Sequence, residues 1–266
     1  MVLNNSQESQ VIQSVDRAIT LLLELSEVPR DVDLAELSKK TGLTKSTASR
    51  LLSTMQKRGL VRQNPTTRRF SLGTGLIRLG NIALGQIWRP ETFRSYLEQL
   101  VSDTGETASI AIRDGYKAVY IDQVASYNMI RSFPPIGATV DLHSTAVGKV
   151  LLSGLTPAVI LKTMSGYKLT ANTEKTITDL NVLLEVISHV REQGFAVEYE
   201  ETELGGCCLA APILDNDSKV IAAIGISGPI IRITPERIAV LSEIVKAAAT
   251  ELSAEFGYKN KNNARG

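Results

Sequence analysis

The sequence predicts an α+β chain in two modules: an N-terminal winged helix-turn-helix, a linker helix, and a C-terminal domain built on an antiparallel sheet. Three observations carry this. Residues 11–57 hold three short stretches with apolar side chains at helical spacing, followed by a strand pair around Asn64-Pro65-Thr66-Thr67. From residue 107 onward, strand-like runs joined by turn residues alternate with a few helical ones. Between Glu36 and Glu91 there is no Asp or Glu, while the interval carries eleven cations: Lys39, Lys40, Lys45, Arg50, Lys57, Arg58, Arg62, Arg68, Arg69, Arg78 and Arg89. A surface cleared of carboxylate suits a row of phosphates, because an acid would repel them and each well-placed cation releases a condensed counterion.

The 266 residues, 43% hydrophobic and 21% charged, are enough for two globular domains. The formal net charge of +1 hides an asymmetry: residues 1–73 hold eleven cations and seven acids, the remainder eighteen and twenty-one. A basic front and a mildly acidic rear suggest two jobs on one chain. The two cysteines, Cys207 and Cys208, are neighbours, which is poor geometry for a disulfide and fits a reducing compartment. The N-terminus has no signal-peptide pattern, and no apolar run is long enough to span a membrane, so the expected location is cytoplasmic with no membrane partner. The expected boundaries are 9–73 for the winged helix-turn-helix, 74–89 for the linker helix, 90–258 for the C-terminal domain, and 259–266 for a polar, frayed tail.

In the first module, Val11, Val15, Ala18, Ile19, Leu22 and Leu23 predict one amphipathic helix. Asp33 and Glu36 have capping-box spacing and open a second, which buries Leu34 and Leu37 and ends near Lys40. Gly42 suits the tight turn that follows. Thr44 caps a third helix with Ala48, Leu51, Leu52 and Met55 on its buried stripe. Its other face offers Lys45, Ser46, Thr47, Ser49 and Arg50 near the N-terminus, the end that meets base edges in a helix-turn-helix. Strands at 60–63 and 68–72 form the wing, with Arg68 and Arg69 placed to reach phosphate or the minor groove. Thr44, Lys45, Ser46, Thr47, Ser49, Arg50, Arg68 and Arg69 are the candidate contacts to double-stranded DNA. From Gly75 to Trp88 a helix is apolar on two faces, through Leu76, Leu79, Ile82 and Ala83 on one side and Ile77 and Leu84 on the other. This predicts pairing with the same helix of a second subunit. Arg89-Pro90 breaks it.

In the second module, Phe93, Tyr96, Leu97, Leu100 and Val101 mark a helix closed by Gly105. A hairpin turns at Asp114-Gly115, and Met129–Phe133 is expected as a third strand. LHSTAVGKVLLSGL turns helical at Ser144 or Thr145, and TDLNVLLEVISHVREQG is a strong helix. FAVEY, GCCLAAPIL and KVIAAIGIS are three further strands, and Thr234-Pro235-Glu236 caps the last helix. A small pocket on that sheet is expected.

The order and spacing of LAELSKKTGLTKSTASRLLSTMQKRGLV, RRFSLG, LHSTAVGKVLLS, REQGFAVEYEETELGGCCLAAPI and IGISGPIIRIT resemble the IclR-type bacterial transcription regulators over about residues 9–258. The resemblance implies a winged helix-turn-helix joined by a linker helix to a GAF-like effector domain. It further implies homodimers, often dimers of dimers, whose grip on operator DNA is changed by small organic acids. It places the effector against Ser144, Thr145, Ala146, Val147 and Gly148, and near Glu198, Cys208 and Ser227.

Physical chemistry gives those positions roles. N–H groups at the start of the helix near Ala146–Gly148 form an anion site. Gly148 admits close approach of a ligand. Ser227 and Cys208 add weak donors. Glu198 would repel an acid unless protonated or bonded to a ligand hydroxyl, which favours a hydroxy- or keto-acid, with aromatic acids also considered. Met129, Phe133 and Ile136 are candidate apolar walls. Lys149 is expected to pair with a carboxylate, His143 to be structural, and Glu200, Glu201 and Glu203 to form a solvated edge. Two departures stand out: Ala146-Val147 narrows the loop, and Cys207 stands where a cation commonly precedes the cysteine.

No metal-ligand cluster, phosphate-binding glycine loop or serine elbow is present, so neither metal nor cofactor is expected. The favoured reading is an effector-modulated repressor of a catabolic operon, not an enzyme. The alternatives are an enzyme using Cys208 as a reactive thiol, and an architectural DNA binder without a ligand.

Overall fold

The computed structural model describes residues 11–28, 30–87, 90–132 and 134–259. Trp88, Arg89, Phe133 and the end of the polar tail lie outside these. The chain divides into two compact units, Met1–Trp88 and Arg89–Gly266.

Unit one holds α1 (Gln13–Ser26), α2 (Leu34–Thr41), α3 (Lys45–Lys57), the two-stranded wing β1 (Val61–Gln63) and β2 (Phe70–Leu72), and α4 (Gly75–Ile87). The expected caps are in place. Asp33 accepts from the Glu36 N–H at 2.9 Å, and Thr44 accepts from the Thr47 N–H at 3.2 Å. Gly42 ends α2 at φ 68°. Leu37, Ala48, Leu52, Met55, Val61 and Phe70 form the core with Leu21 and Leu25 of α1. The buried face of α1 corrects part of the expectation, since of the expected stripe Ala18 and Leu22 pack against the core. Val11, Val15, Ile19 and Leu23, spaced by four, are all exposed. Leu21 and Leu25 instead turn to the core, so α1 carries a second apolar face with no partner among the described residues. The wing is shorter than expected, because Arg68 sits at φ 60° and strand geometry begins only at Phe70. Ile77, Leu79 and Ile82 of α4 are exposed on both of its apolar sides.

Unit two contains α5 (Pro90–Thr104), β3 (Thr107–Asp114), β4 (Lys117–Val124), β5 (Thr139–Asp141), α6 (Ala146–Ser153), α7 (Pro157–Met164), α8 (Leu180–Gln193), β6 (Ala196–Tyr199), β7 (Gly206–Leu214), β8 (Val220–Pro229) and α9 (Pro235–Glu255). Its six-stranded antiparallel sheet runs β5-β4-β3-β8-β7-β6. The strand expected at Met129–Phe133 does not form over 129–132, the described part of that stretch. The third pairing partner is Thr139–Asp141, where Val140 faces Ala118, while the segment before it is an exposed loop. Helix α7 follows Thr156-Pro157, a cap the sequence reading passed over. Thr234 occupies the N-cap of α9 without bonding a helix N–H; its hydroxyl meets Glu236 instead and holds that carboxyl below its ordinary range.

Alternation divides the sheet into two faces. Leu209, Ile213, Ile224 and Ile226 lie on the side of α5 and α9. Ala111, Ala118, Ala196, Ala210 and Ala223 lie on the other, under α6 and α8. Small floor residues let α6 settle deep, and all eight of its residues are buried. Gly148 takes part in this packing, since a Cβ there would collide with the Leu142 backbone. Gly148→Ala should therefore cost unit two about 1–3 kcal/mol of stability by overpacking. Urea unfolding followed by circular dichroism checks this; an unchanged midpoint would contradict the close α6–Leu142 contact.

Candidate functional site

Two sites emerge, one in each unit. In unit one, Lys45, Ser46, Ser49 and Arg50 stand exposed on the first turns of α3. Thr44 is engaged as the cap, and its hydroxyl also meets those of Ser46 and Thr47 at 3.0 and 2.9 Å. Lys45, Arg50 and Arg68 make no ion pair among the described residues, whereas Arg69 lies 3.9 Å from Asp33 and Arg62 3.7 Å from Asp31. A groove between α2, α3 and the wing is lined by Lys45, Ser49 and Ser53 together with Gln56, Gln63 and Arg68. The structure therefore brings the helix and the wing to one polar trough, with Asp33 on its wall beside Lys45 and Arg68. Gln56 was missed in the sequence, where it reads as one more polar helix residue; its amide can address a base edge.

In unit two, strand register builds a polar row. Glu198 faces Cys208, which faces Ser227, which faces Thr107. Directly opposed residues share a face, and this is the α6 face. The next row, Ala196–Ala210–Gly225–Ser109, is smaller still. A cavity of about 200 Å³ opens here, with Thr145, Ala146, Val147, Glu198, Cys208 and Ser227 all on its wall. Ser109, Tyr120, Thr202 and Gly225 also line it and were not foreseen, because their placement depends on strand pairing. Met129 must be withdrawn from the site: it is 97% exposed on the loop after β4 and does not touch the cavity. Ile136 is likewise exposed, while Ser132 and Pro134 supply that wall. Ser144 and Gly148 are buried beside the cavity without lining it.

Fewer N–H groups are free at the start of α6 than expected. Thr145 Oγ1 accepts from the Gly148 N–H at 3.1 Å, leaving those of Ala146 and Val147 without a partner among the described residues. No Lys, Arg or His among the described residues lines the cavity.

Glu198 is 2% exposed. Its Oε1 accepts from the N–H groups of Glu201 at 2.6 Å and Thr202 at 3.0 Å. Burial pushes its carboxyl above the ordinary value, with those N–H groups and Cys208 pulling the other way. The acidic run is a solvated edge only at Glu203, which is exposed: Glu201 is buried, with its carboxyl raised by burial, and Glu200 pairs with Lys175. His143 is buried, its Nε2 donating to the Thr170 carbonyl at 3.1 Å. Burial and the neighbouring Glu198 push the Cys208 thiol well up, opposite to what a nucleophile needs.

The chain matches the profile of the IclR helix-turn-helix domain over residues 14–65 and that of the bacterial transcriptional regulator IclR C-terminal domain over residues 90–254. It belongs to the IclR family of transcriptional regulators. It is 34% identical to the regulator XynR of Escherichia coli over 93% of this chain and 98% of the relative. It is equally 34% identical to the transcriptional repressor IclR of Escherichia coli, over 92% and 90%. Among solved structures, a Rhodococcus transcriptional regulator superposes with a TM-score of 0.80 at 28% identity, over 93% of this chain and 99% of that one. An IclR homologue from Microbacterium hydrocarbonoxydans, complexed with 4-hydroxybenzoate, shares the fold with a TM-score of 0.77 at 19% identity, over 92% and 99%. The family is one of DNA-binding regulators and not of enzymes. Among the described residues, no helix is long and apolar enough to cross a membrane.

A raised Glu198 carboxyl means that the folded state keeps its proton to higher pH than the unfolded chain. Stability is then lost as pH climbs from the ordinary carboxylate value through the folded one. Glu198→Gln should remove that loss and flatten the fall of unfolding free energy above about pH 4.5. Denaturant titrations of both proteins across that range provide the check; parallel pH profiles would rule the assignment out.

Proposed function

We propose that this chain represses a catabolic operon, and that a small hydroxylated organic acid in the unit-two cavity changes its hold on operator DNA. The observation that carries the ligand class is the composition of the cavity wall. It offers two free N–H groups at the start of α6, the hydroxyls of Ser109, Tyr120 and Ser227, the buried carboxyl of Glu198 and the exposed one of Glu203, but no cation among the described residues. An acid finds its carboxylate partners at the helix start, aided by the helix dipole. A hydroxyl on the same ligand donates to Glu198, turning a repulsive neighbour into an acceptor. The 4-hydroxybenzoate bound by the Microbacterium homologue is of this class. Relatives named as repressors support the sign of regulation.

Thr44, Lys45, Ser46, Thr47, Ser49, Arg50, Arg68 and Arg69 form the DNA contact surface in this reading, with Arg50 reading a base. The exposed apolar faces of α1 and α4 support a homodimer that spans two half-sites, and pairs of dimers extend it to a dimer of dimers. The protein works in the cytoplasm, where its DNA is.

Gel shifts on the promoter of its own gene and of the adjacent divergent gene test the DNA half. Saturable binding should weaken steeply with salt, and Arg50→Ala should cost about 1–3 kcal/mol on the operator and far less on random duplex. Equal losses on every sequence would reduce Arg50 to a phosphate contact.

A further inference from the structure

Lys149 lies on α6 with 1% of its surface exposed. Its ammonium reaches the Glu201 carboxylate and the Val197 carbonyl oxygen, the latter at 3.4 Å. Neither Lys149 nor Glu201 lines the cavity. An ion pair buried this deeply gains little over an apolar pair of the same size, so stability alone does not account for it. Its mechanical effect is visible in the hydrogen bonds. Lys149 fixes the Glu201 side chain from the α6 side. The Glu201 and Thr202 N–H groups hold Oε1 of Glu198. Thr202 Oγ1 donates to the Ser144 carbonyl at 2.8 Å and ties the same turn to the start of α6. From the other side, Thr176 Oγ1 donates to the Glu201 carbonyl and Thr173 Oγ1 to the Glu200 carbonyl, both at 2.6 Å. The turn is clamped on two sides, and the Glu198 carboxyl hangs from it.

We propose that Lys149 and Glu201 are positioning residues of the cavity: their buried ion pair holds the 200–202 turn where its N–H groups fix the Glu198 carboxyl beside Cys208. The inference deepens the ligand-pocket reading, and its test uses no ligand, so the two fail separately. Without the pair, an uncompensated carboxylate drives the turn toward water, the N–H groups leave Glu198, and its carboxyl swings away from the thiol.

Cys208 is a built-in reporter. The chain has two cysteines; Cys207 is fully buried, its thiol pushed up to about 12, while Cys208 is part-exposed and lines the cavity. The titratable groups facing Cys208 are Glu198 on β6, Lys149 on α6, Tyr120 on β4 and adjacent Cys207. The charge of Lys149 by itself favours the thiolate, so deleting it for charge alone slows alkylation. Releasing Glu198 does the opposite, and the two roles separate by sign.

The experiment is iodoacetamide alkylation of Cys208 in the full-length protein, followed by peptide mass across about pH 7 to 10. Glu198→Gln should accelerate it severalfold at fixed pH, because losing the neighbouring carboxylate raises the thiolate fraction more than it weakens the thiolate as a nucleophile. Lys149→Met should also accelerate it and displace the rising rate profile toward lower pH. The double variant should react no faster than Glu198→Gln alone. Slower or unchanged alkylation in Lys149→Met, or full multiplication of the two effects, overturns the proposal. Should Lys149→Met not fold, Lys149→Gln, whose neutral amide leaves the Glu201 charge uncompensated, is read by the same two criteria.

Discussion

The constraint on which unit two depends is the smallness of the side chains on one face of its sheet. Beneath α6 the strands present Ala111, Ala118, Ala196, Ala210 and Ala223, and beside them Ser109, Cys208, Gly225 and Ser227. With larger residues there, α6 would be lifted off the sheet. With alanines throughout, the helix would close down and leave no space. The actual pattern is apolar and tight under the body of α6, polar and hollow under its first turn. A Cβ on Gly225 would collide with the Leu209 carbonyl, so the chain cannot fill the hollow from that position without moving backbone. The cavity is thus a consequence of packing, and the polar row Glu198–Cys208–Ser227 is its chemical content.

Unit one rests on a different balance. Its core is small, centred on Leu21, Leu37, Leu52 and Phe70, and two side-chain caps fix where α2 and α3 begin. Val32 and Phe70 exchange backbone hydrogen bonds at 2.8 and 2.7 Å, so the approach to α2 adds a third pairing to the wing. The carboxylates Asp31 and Asp33 sit at this junction and draw Arg62 and Arg69 toward the base of the wing. Lys45, Arg50 and Arg68 are left to present charge outward. Exposed pairs of this kind contribute little to stability; here they sort the cations into those that brace the fold and those available to phosphate.

Much of this was legible in the sequence, and the failures have physical causes. Caps depend on a few adjacent residues, so Asp33 and Thr44 could be read directly, and the start of α6 to within one residue. Strands with clear alternation were found within a residue or two. On α1, Ala18 and Leu22 pack against the core as expected, while Val11, Val15, Ile19 and Leu23 of the same stripe are exposed and Leu21 and Leu25 are selected by tertiary contact. Met129 was placed in the pocket on the strength of a strand that does not form. Gly148 was assigned to ligand approach, although its proximity is to Leu142 within the fold. The unforeseen lining residues, Ser109, Tyr120 and Thr202, belong to strands and turns far apart in sequence, and only register brings them to Glu198. Lys149 was rightly expected to meet a carboxylate, but which one, and at what depth, was not written locally.

The central claim is that the hollow over the small-residue floor receives the ligand. It is tested most directly by a thermal-shift screen of small hydroxy acids on the native protein and on Ser227→Val, which puts an inert methyl group into the polar row. The account predicts that acids raising the unfolding midpoint of the native protein leave that of the variant unmoved. Equal shifts in both proteins, or no shift in the native protein by any acid of this class, would contradict it.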